Sequence, residues 1–554
     1  MLIAAGLLLA APAAAGQPLS LGNLQTIVAQ AASRAREWTH HPIHTNAVIA
    51  LADREGFVIG VWTLNTNFAA DPKFPALLRN AIGKAGTASF LSSSQHAFSS
   101  RSAQFIVQQN FPPGVVNKPP GPLVGVNFSN FQFSDVNRFK APTGFIPGLT
   151  NGLNGGAVPI PITGGLAGAS GGVPLYKDGL LVGGLGVAGD EETDSTGNPL
   201  PLPPRVDGAT LAAVPELAIA PALVRLPDVD EAVALAGQIG FAPAPRLFGS
   251  KVFVDGVALP YTETPAEPAR NPLPFGSPSL GIAVPQFPLV ESPPLRFPTF
   301  TLGGATGELR QPIREDPRLS DTDSSNDFIL GEARLTAAEV RGILELGAKR
   351  ARTTRAGIRL PRGRPMQCVI TVVANPDQDG QPAPVLGTFF TSPDTTRFSW
   401  DVAVQKARTA LFFSDNTRAF STRTVGFLSQ EFYPPGIAGT SPGPFRGLQE
   451  KFSALPAGLT NPLNGATVPI APDAGTVNPN LPNGITIFPG GFPLYRNGVL
   501  VGAIGVSGDG IDQDDIVAAS GCRDFPAPQA IRADRFTYRG ARLPYAKFPR
   551  NPAL

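Results

Sequence analysis

Apolar positions recur in two rhythms along this chain. After Thr336, Val340, Ile343, Leu344 and Leu346 fall at helical spacing, which predicts a helix over 336–352. Thr336 with Glu339 forms a capping-box pattern that satisfies free N–H groups at a helix start. Continuous apolar runs at 368–373 and 385–390, separated by NPDQDG, predict two strands joined by a long loop. Residues 399–413 read as a second helix, carrying Lys406, Arg408 and Thr409. A long loop rich in Pro, Gly and Asn, about 433–490, leads to a hairpin. Its arms are 492–495 and 499–506, and its turn holds Asn497-Gly498, a strong two-residue hairpin signal. A third helix is expected from about 513 to 520. The order α-β-β-α-β-β-α predicts an antiparallel sheet packed with helices, an α+β domain.

The same pattern occurs earlier. GVPLYKDGLLVGGLGVAGD (172–190) matches GFPLYRNGVLVGAIGVSGD (491–509) at 12 of 19 positions without a gap. KAGTASFLSSSQHAFSSRSAQFIVQQNFPPG (84–114) matches KARTALFFSDNTRAFSTRTVGFLSQEFYPPG (406–436) at 15 of 31. GLTNGLNGGAVPI (148–160) pairs with GLTNPLNGATVPI (458–470), and each copy closes on Arg-Asn-Pro. The starts pair more weakly, from Leu19 and Leu335, with Ser20 and Thr336 as caps. Copy 1 thus spans about 19–272, with an insertion near 191–227, and copy 2 spans 334–554. Two copies are too few for a solenoid. A tandem pseudo-dimer fits better, since fusion makes the second contact intramolecular. Between the copies lies a proline-rich linker, 273–333, holding Phe275, Phe287, Phe297 and Phe300. A flexible spacer would not carry those rings, so its first half is expected to lie extended over a domain surface. The polar run SDTDSSND (320–327) is expected to be a mobile hinge.

Composition narrows the class. In 554 residues, 42% are hydrophobic and 16% charged, too apolar for a disordered chain and too lightly charged for a coiled coil. Lys plus Arg number 44 and Asp plus Glu 42, a net charge of +2 that makes no case for nucleic acid or an anionic membrane. Gly and Pro number 61 and 60, so many turns and long loops are expected. The opening residues 1–15 read as a signal peptide: an apolar run, 2–11, precedes Ala13-Ala14-Ala15. No other stretch approaches a membrane span. The mature chain is expected to be soluble and secreted or periplasmic. In such a compartment Cys368 and Cys522 pair as one disulfide or stand as two buried thiols.

GGFPLYRNGVLVGAIGVSGDGIDQDDIVAASG (490–521) resembles the GlcG-like haem-binding family, also called the haem-degrading domain family. Lys406-Ala-Arg-Thr-Ala410 on the central helix and LTAAEVRGIL at the opening helix resemble further signatures of that family. Copy 1 matches at 84–88 and 171–190. The resemblance implies two tandem profilin-like or PAS-like α+β domains that tend to oligomerise, with long Pro/Gly-rich loop insertions. It also implies haem or a related tetrapyrrole as ligand. Some relatives act outside the cytoplasm beside sensors, and function transfers less well than fold.

Several residues carry candidate chemistry. Lys84 and Lys406 could pair a haem propionate, or cover a sheet edge with their stems. Arg408 lies beside Lys406, and Thr87 and Thr409 lie one helical turn further on. Tyr176 and Tyr495 precede the matching hairpin turns; tyrosine can ligate ferric haem but also serves in cross-strand packing. His40, His41 and His44 give HHxxH in copy 1, a spacing that could hold a metal or a haem. Copy 2 has no histidine, and Met366 aligns with His44. Gly498 supplies positive φ in a turn, while Gly502, Gly505 and Gly508 allow close approach of a helix or a ligand. Asp512, Asp514 and Asp515 match Asp228, Asp230 and Glu231 and read as complements of a helix dipole. No nucleophile constellation is present. The leading expectation is an exported, non-catalytic haem- or tetrapyrrole-binding protein. Against it stand an interaction module that kept the fold and lost its ligand, and a haem-degrading enzyme.

Overall fold

The structure is a computed structural model. It describes residues 17–547 apart from 109, 114, 116, 117, 127, 131–133, 139–164, 190–227, 293–296, 320–333, 362, 377–381, 453–457, 461–466, 470–477 and 479. The signal segment, the 191–227 insertion, the 320–327 hinge and the 148–160 repeat lie outside the described residues, wholly or nearly so.

The first unit opens with α1 (Leu21–Arg36), whose Ser20 cap forms a capping box with Asn23. There follow β1 (Val48–Asp53), β2 (Val58–Thr63), α2 (Phe74–Leu91), α3 (Ser100–Ile106), β3 (Gly172–Lys177), β4 (Leu180–Ala188) and α4 (Val229–Gln238). The stretch between the units adds β5 (Ile282–Ala283), β6 (Thr299–Leu302) and β7 (Ala305–Gln311). The second unit holds α5 (Ala337–Thr353), β8 (Cys368–Ala374), β9 (Val385–Phe390), α6 (Phe398–Phe412), α7 (Thr422–Leu428), β10 (Gly491–Arg496), β11 (Val499–Gly508) and α8 (Ile511–Gly521). The predicted capping box of Thr336 and Glu339 forms at α5.

Both units are α+β, each an antiparallel sheet packed with helices. The first sheet runs β3-β4-β1-β2-β5 and the second β10-β11-β8-β9-β7-β6. The order of the first four strands is therefore shared. The hairpin turns are shared too: Asp178 and Gly179 have φ of 53° and 77°, Asn497 and Gly498 of 50° and 84°. Positive φ at both central residues gives the mirror-image turn whose twist suits a hairpin.

The central strands are buried along their whole length, because helices cover both faces. On one face of the second sheet α5 and α8 pack through Val340, Ile343, Leu344 and Val517. On the other face lies α6, buried from Phe398 to Leu411. In the first unit α1 and α4 share one apolar cluster with the sheet, and α2 packs on the opposite face.

The stretch 273–333 is more than a covering strap. Ala283 of β5 pairs with Trp62, and Leu309 of β7 pairs with Phe389, so the stretch supplies edge strands to both sheets. Phe275 lies against Trp62, and Phe297 stacks on the Arg310 guanidinium.

The units meet over an apolar cluster containing Phe90, Leu91 and Phe98 from the first and Phe398, Trp400 and Val402 from the second. Charges lock its margins. Glu55 accepts from Arg310 at 2.7 Å and from Arg397 at 2.8 Å. Arg54 and Ser94 N–H both donate to Asp394, at 2.8 and 2.9 Å. Asp401 accepts from Ser129 Oγ and the Val136 N–H at 2.8 and 2.7 Å. Burial, with the Asp135 charge beside it, pushes the Asp401 carboxyl up to about 6.

Candidate functional site

The family-like motifs converge on one point in each unit. Lys406 Nζ donates to the Val506 carbonyl at 2.9 Å and to Asp514 Oδ2 at 2.8 Å. In the first unit Lys84 Nζ donates to the Val187 carbonyl at 2.8 Å and to Asp230 Oδ2 at 2.6 Å. All four charged residues are buried. The Gly-Gly pair before the hairpin makes room for this. At Gly490, with φ of 116°, a Cβ would stand 3.0 Å from Lys406 Nζ and 2.9 Å from Asp514 Cβ. At Gly171, with φ of 103°, it would stand 3.2 Å from Lys84 Nζ. The lysine, the glycine loop and the acidic helix start are thus parts of one buried lock.

A second pair of charges reinforces the lock. Arg423 binds Asp515 at 2.9 Å and Asp512 at 2.7 Å, and Arg101 binds Glu231 at 2.7 Å. Reading Asp514, Asp515 and their counterparts as dipole complements missed these partners. The signal was present, since Arg101 and Arg423 occupy matching positions in the repeats.

The other nominated residues are also spoken for. Thr87 Oγ1 donates to the Gly83 carbonyl and accepts from the Ala167 N–H at 2.6 Å. Thr409 Oγ1 accepts from the Thr486 N–H at 3.1 Å. Arg408 crosses the junction to Asp135 at 2.9 Å. The Tyr176 hydroxyl donates toward the Ser93 and His96 carbonyls, at 2.6 and 2.9 Å, and Tyr495 does so toward Asp415 and Arg418, at 2.8 and 3.0 Å. Burial raises the Tyr176 phenol well above its ordinary range. Neither phenol points its oxygen at open space.

The histidines do not assemble. His40 is exposed, His41 lies edge-on to Trp38, and His44 Nδ1 is hydrogen-bonded to the Arg36 carbonyl at 2.7 Å. Among the described residues no three His, Cys, Asp or Glu side chains gather as a metal site. The short helical turn at 43–46 orients His44 back onto α1, which separates it from its neighbours. Cys368 and Cys522 are unpaired thiols, which corrects the disulfide alternative. Each sits in the apolar core beneath α5 and α8, where burial raises both thiols. Native protein is expected to resist a thiol reagent, with two thiols titrating after denaturation without reductant. No thiol appearing would restore the disulfide.

At the junction the Lys406–Asp514 lock borders a cavity of about 70 Å³. The first unit walls it with Leu91, Phe98, Ile106, Leu123 and Val126. The second adds Phe398, Val402 and Phe488, and Lys406, Asp514, Arg359 and Ser507 supply its polar lining. Arg359 is held by Asp509 at 3.0 Å and by Thr396 Oγ1 at 3.0 Å. Asp514 Oδ1 is buried and has no hydrogen-bond partner among the described residues. Burial pushes this carboxyl up to about 6 against the pull of Lys406. Neither the cavity nor the free oxygen was legible from one-dimensional spacing, because the walls come from segments hundreds of residues apart.

The family match falls within the second unit. Residues 371–523 match the family model described as haem degrading protein HbpS-like. No curated protein matches the chain. Among solved structures, one titled as a PduOC:heme complex is 19% identical, covering 35% of this chain and 97% of that chain, with a TM-score of 0.22. The Klebsiella pneumoniae protein ORFY is 21% identical, covering 34% of this chain and 88% of that chain, also with a TM-score of 0.22. Among the described residues no helix is long and apolar enough to cross a membrane.

Proposed function

We propose that this chain, HbpS-like over residues 371–523, is an exported, non-catalytic binding protein that holds its ligand at the junction of two related units. The observation that carries this reading is the junction cavity, which both units wall and which the buried Lys406–Asp514 pair borders. The units act as an intramolecular pseudo-dimer. Their matching motifs and shared strand order support this, as do the ion pairs at Glu55, Asp135 and Asp394. Export is supported by the apolar run 2–11 and the small residues after it. Absence of turnover is supported by Lys406, whose ammonium serves both Asp514 and the Val506 carbonyl rather than standing free as an acid.

Haem or a related tetrapyrrole is the ligand that the family likeness brings forward. The described residues do not fit an iron-ligated haem. Both candidate phenols donate to carbonyls, Met366 is buried in the core, and the cavity lining holds no His, Cys, Met or Tyr. Its 70 Å³ also falls far below the roughly 300–1,000 Å³ of cofactor sites. The ligand class therefore narrows to a smaller molecule. The interaction-module reading is favoured by one observation: Lys84 and Lys406, the cations nominated for a propionate, are each neutralised internally.

Native mass spectrometry of the full chain purified from an exporting host is expected to show one bound molecule lighter than haem, released on denaturation. Hemin titration is expected to give no saturable Soret shift. Saturation at one or two hemins per chain would return the tetrapyrrole as ligand. A chain free of any ligand would favour the interaction module.

A further inference from the structure

We propose that α5 and the ribbon after it form a basic face that docks on acidic phospholipid headgroups and holds the chain at a membrane surface without crossing it. This rests on the reading of the chain as exported and names the surface it meets.

The charge balance of the whole chain conceals this face. Residues 341–364 hold eight of the 44 basic residues and one of the 42 acidic ones. On α5, Arg341, Glu345, Lys349 and Arg352 fall within one arc of the helix, and all four are exposed. Beyond the helix runs a short ribbon, in which the Ala356 N–H donates to the Arg364 carbonyl at 2.9 Å. It carries Arg355 and Arg364, both exposed. Arg341 lies over the Phe300 ring, and Arg352 donates to the Gly303 carbonyl at 3.4 Å. Among the described residues no ion pair joins any of these five cations to a carboxylate.

The fold does not ask for these charges. In the aligned opening helices and the residues just after them, Arg341, Lys349 and Arg355 stand where the first unit has Gln25, Ser33 and Thr39. Arg34 of the first unit is held by Glu37 at 2.9 Å and by Glu267 at 3.1 Å, whereas Thr353 takes the place of Glu37 in the second. The helix dipole favours cations in the last turn, which accounts for Arg352. It does not account for Arg341 near the helix start, nor for Arg355 and Arg364 outside the helix.

Only charge is on offer here. None of the exposed large hydrophobic side chains among the described residues lies in 337–366, so the apolar anchors of a protein interface are missing. The same stretch contains no aromatic ring to stack a base, and export carries the chain away from nucleic acid. A layer of acidic headgroups needs no anchor. It attracts Lys and Arg near its surface, and its phosphates match the guanidinium fork. From Arg341 to Arg352 the stripe runs about 16 Å along the helix, long enough to meet several headgroups.

Cosedimentation with vesicles tests this, on the full chain purified from an exporting host. Phosphatidylcholine vesicles with about one third phosphatidylglycerol are expected to bind it roughly tenfold or more tightly than phosphatidylcholine alone. Salt at about 1 M is expected to release it. Arg341→Gln, Lys349→Ser and Arg355→Thr together install the first unit's residues and are expected to weaken binding by roughly tenfold or more. Should circular dichroism show that variant unfolded, Thr353→Glu, which restores the first unit's acid, takes its place with a loss of about threefold. Equal binding to the two kinds of vesicle, or a folded variant that binds like the parent, overturns the proposal. Tighter binding to duplex DNA than to the acidic vesicles at equal salt overturns the choice of lipid. Vesicle binding by a chain that cell fractionation finds retained in the cytoplasm overturns export and supports the basic face.

Discussion

Lys406→Met lowers the stability of the full chain by about 3–5 kcal/mol at neutral pH, because it leaves the Asp514 carboxylate buried without its partner. Removing both members together, as Lys406→Met with Asp514→Leu, restores most of that loss, since apolar groups of similar volume need no compensating charge. Urea unfolding of the three variants measures this. A single variant within 1 kcal/mol of the parent, on the order of a surface substitution, would show that the lock is ornamental. The loss also depends on pH. Burial holds the folded Asp514 carboxyl at about 6, above the ordinary value near 4. Between those values the native state binds more protons than the unfolded one, so the contribution of this group falls as pH rises from about 4 to about 6. The Lys406→Met penalty therefore shrinks as pH falls toward about 6, because loss of the ammonium that lowers this carboxyl raises it further and leaves it neutral there.

Gly505→Ala is expected to be as damaging, by a different route. A Cβ there would stand 1.9 Å from the Ala403 carbonyl oxygen and 2.7 Å from the Ala407 nitrogen. Both are backbone atoms of α6, so no flexible side chain can yield, and the helix must lift from the sheet. Overpacking of this kind costs about 3 kcal/mol or more. Gly184→Ala in the first unit meets the Ala85 oxygen at 2.1 Å and should behave alike. Gly498→Ala is the control. Nothing lies within 4 Å of its added carbon, and only the φ of 84° opposes it, so about 1 kcal/mol is lost. Thermal unfolding ranks the three. A Gly505→Ala midpoint equal to that of Gly498→Ala would refute the close-approach argument.

These glycines show where sequence reasoning reached and where it stopped. The periodic segments were legible because period and caps coincide. The strand expected at 385–390 spans Val385–Phe390, and α5 starts beside its Thr336 cap. The Asn-Gly turn followed from chemistry that only positive φ satisfies. α7 was missed because Thr422–Leu428 is seven residues long, too short for a period to declare itself. The strands at 299–302 and 305–311 were hidden by a proline-rich context that reads as linker. At the site, the sequence nominated Lys84 and Lys406 as ligand-binding candidates, and the structure pairs each with an internal carboxylate. The sequence did not reveal their partners, because Asp230 and Asp514 lie 146 and 108 residues away.

The strands between the units have a consequence for how the chain can be divided. β6 and β7 precede residues 320–333, yet they close the edge of a sheet whose other four strands follow. A gene cut within 320–333 would strand this hairpin on the amino-terminal fragment, with Arg310 still gripping Glu55. The carboxy-terminal fragment would then carry an open edge at β9, apolar and normally covered, which is a template for aggregation. Mixed together, the fragments can heal one another, because each holds what the other lacks. The molecule is therefore interlocked in the manner of a split reporter, rather than strung like beads.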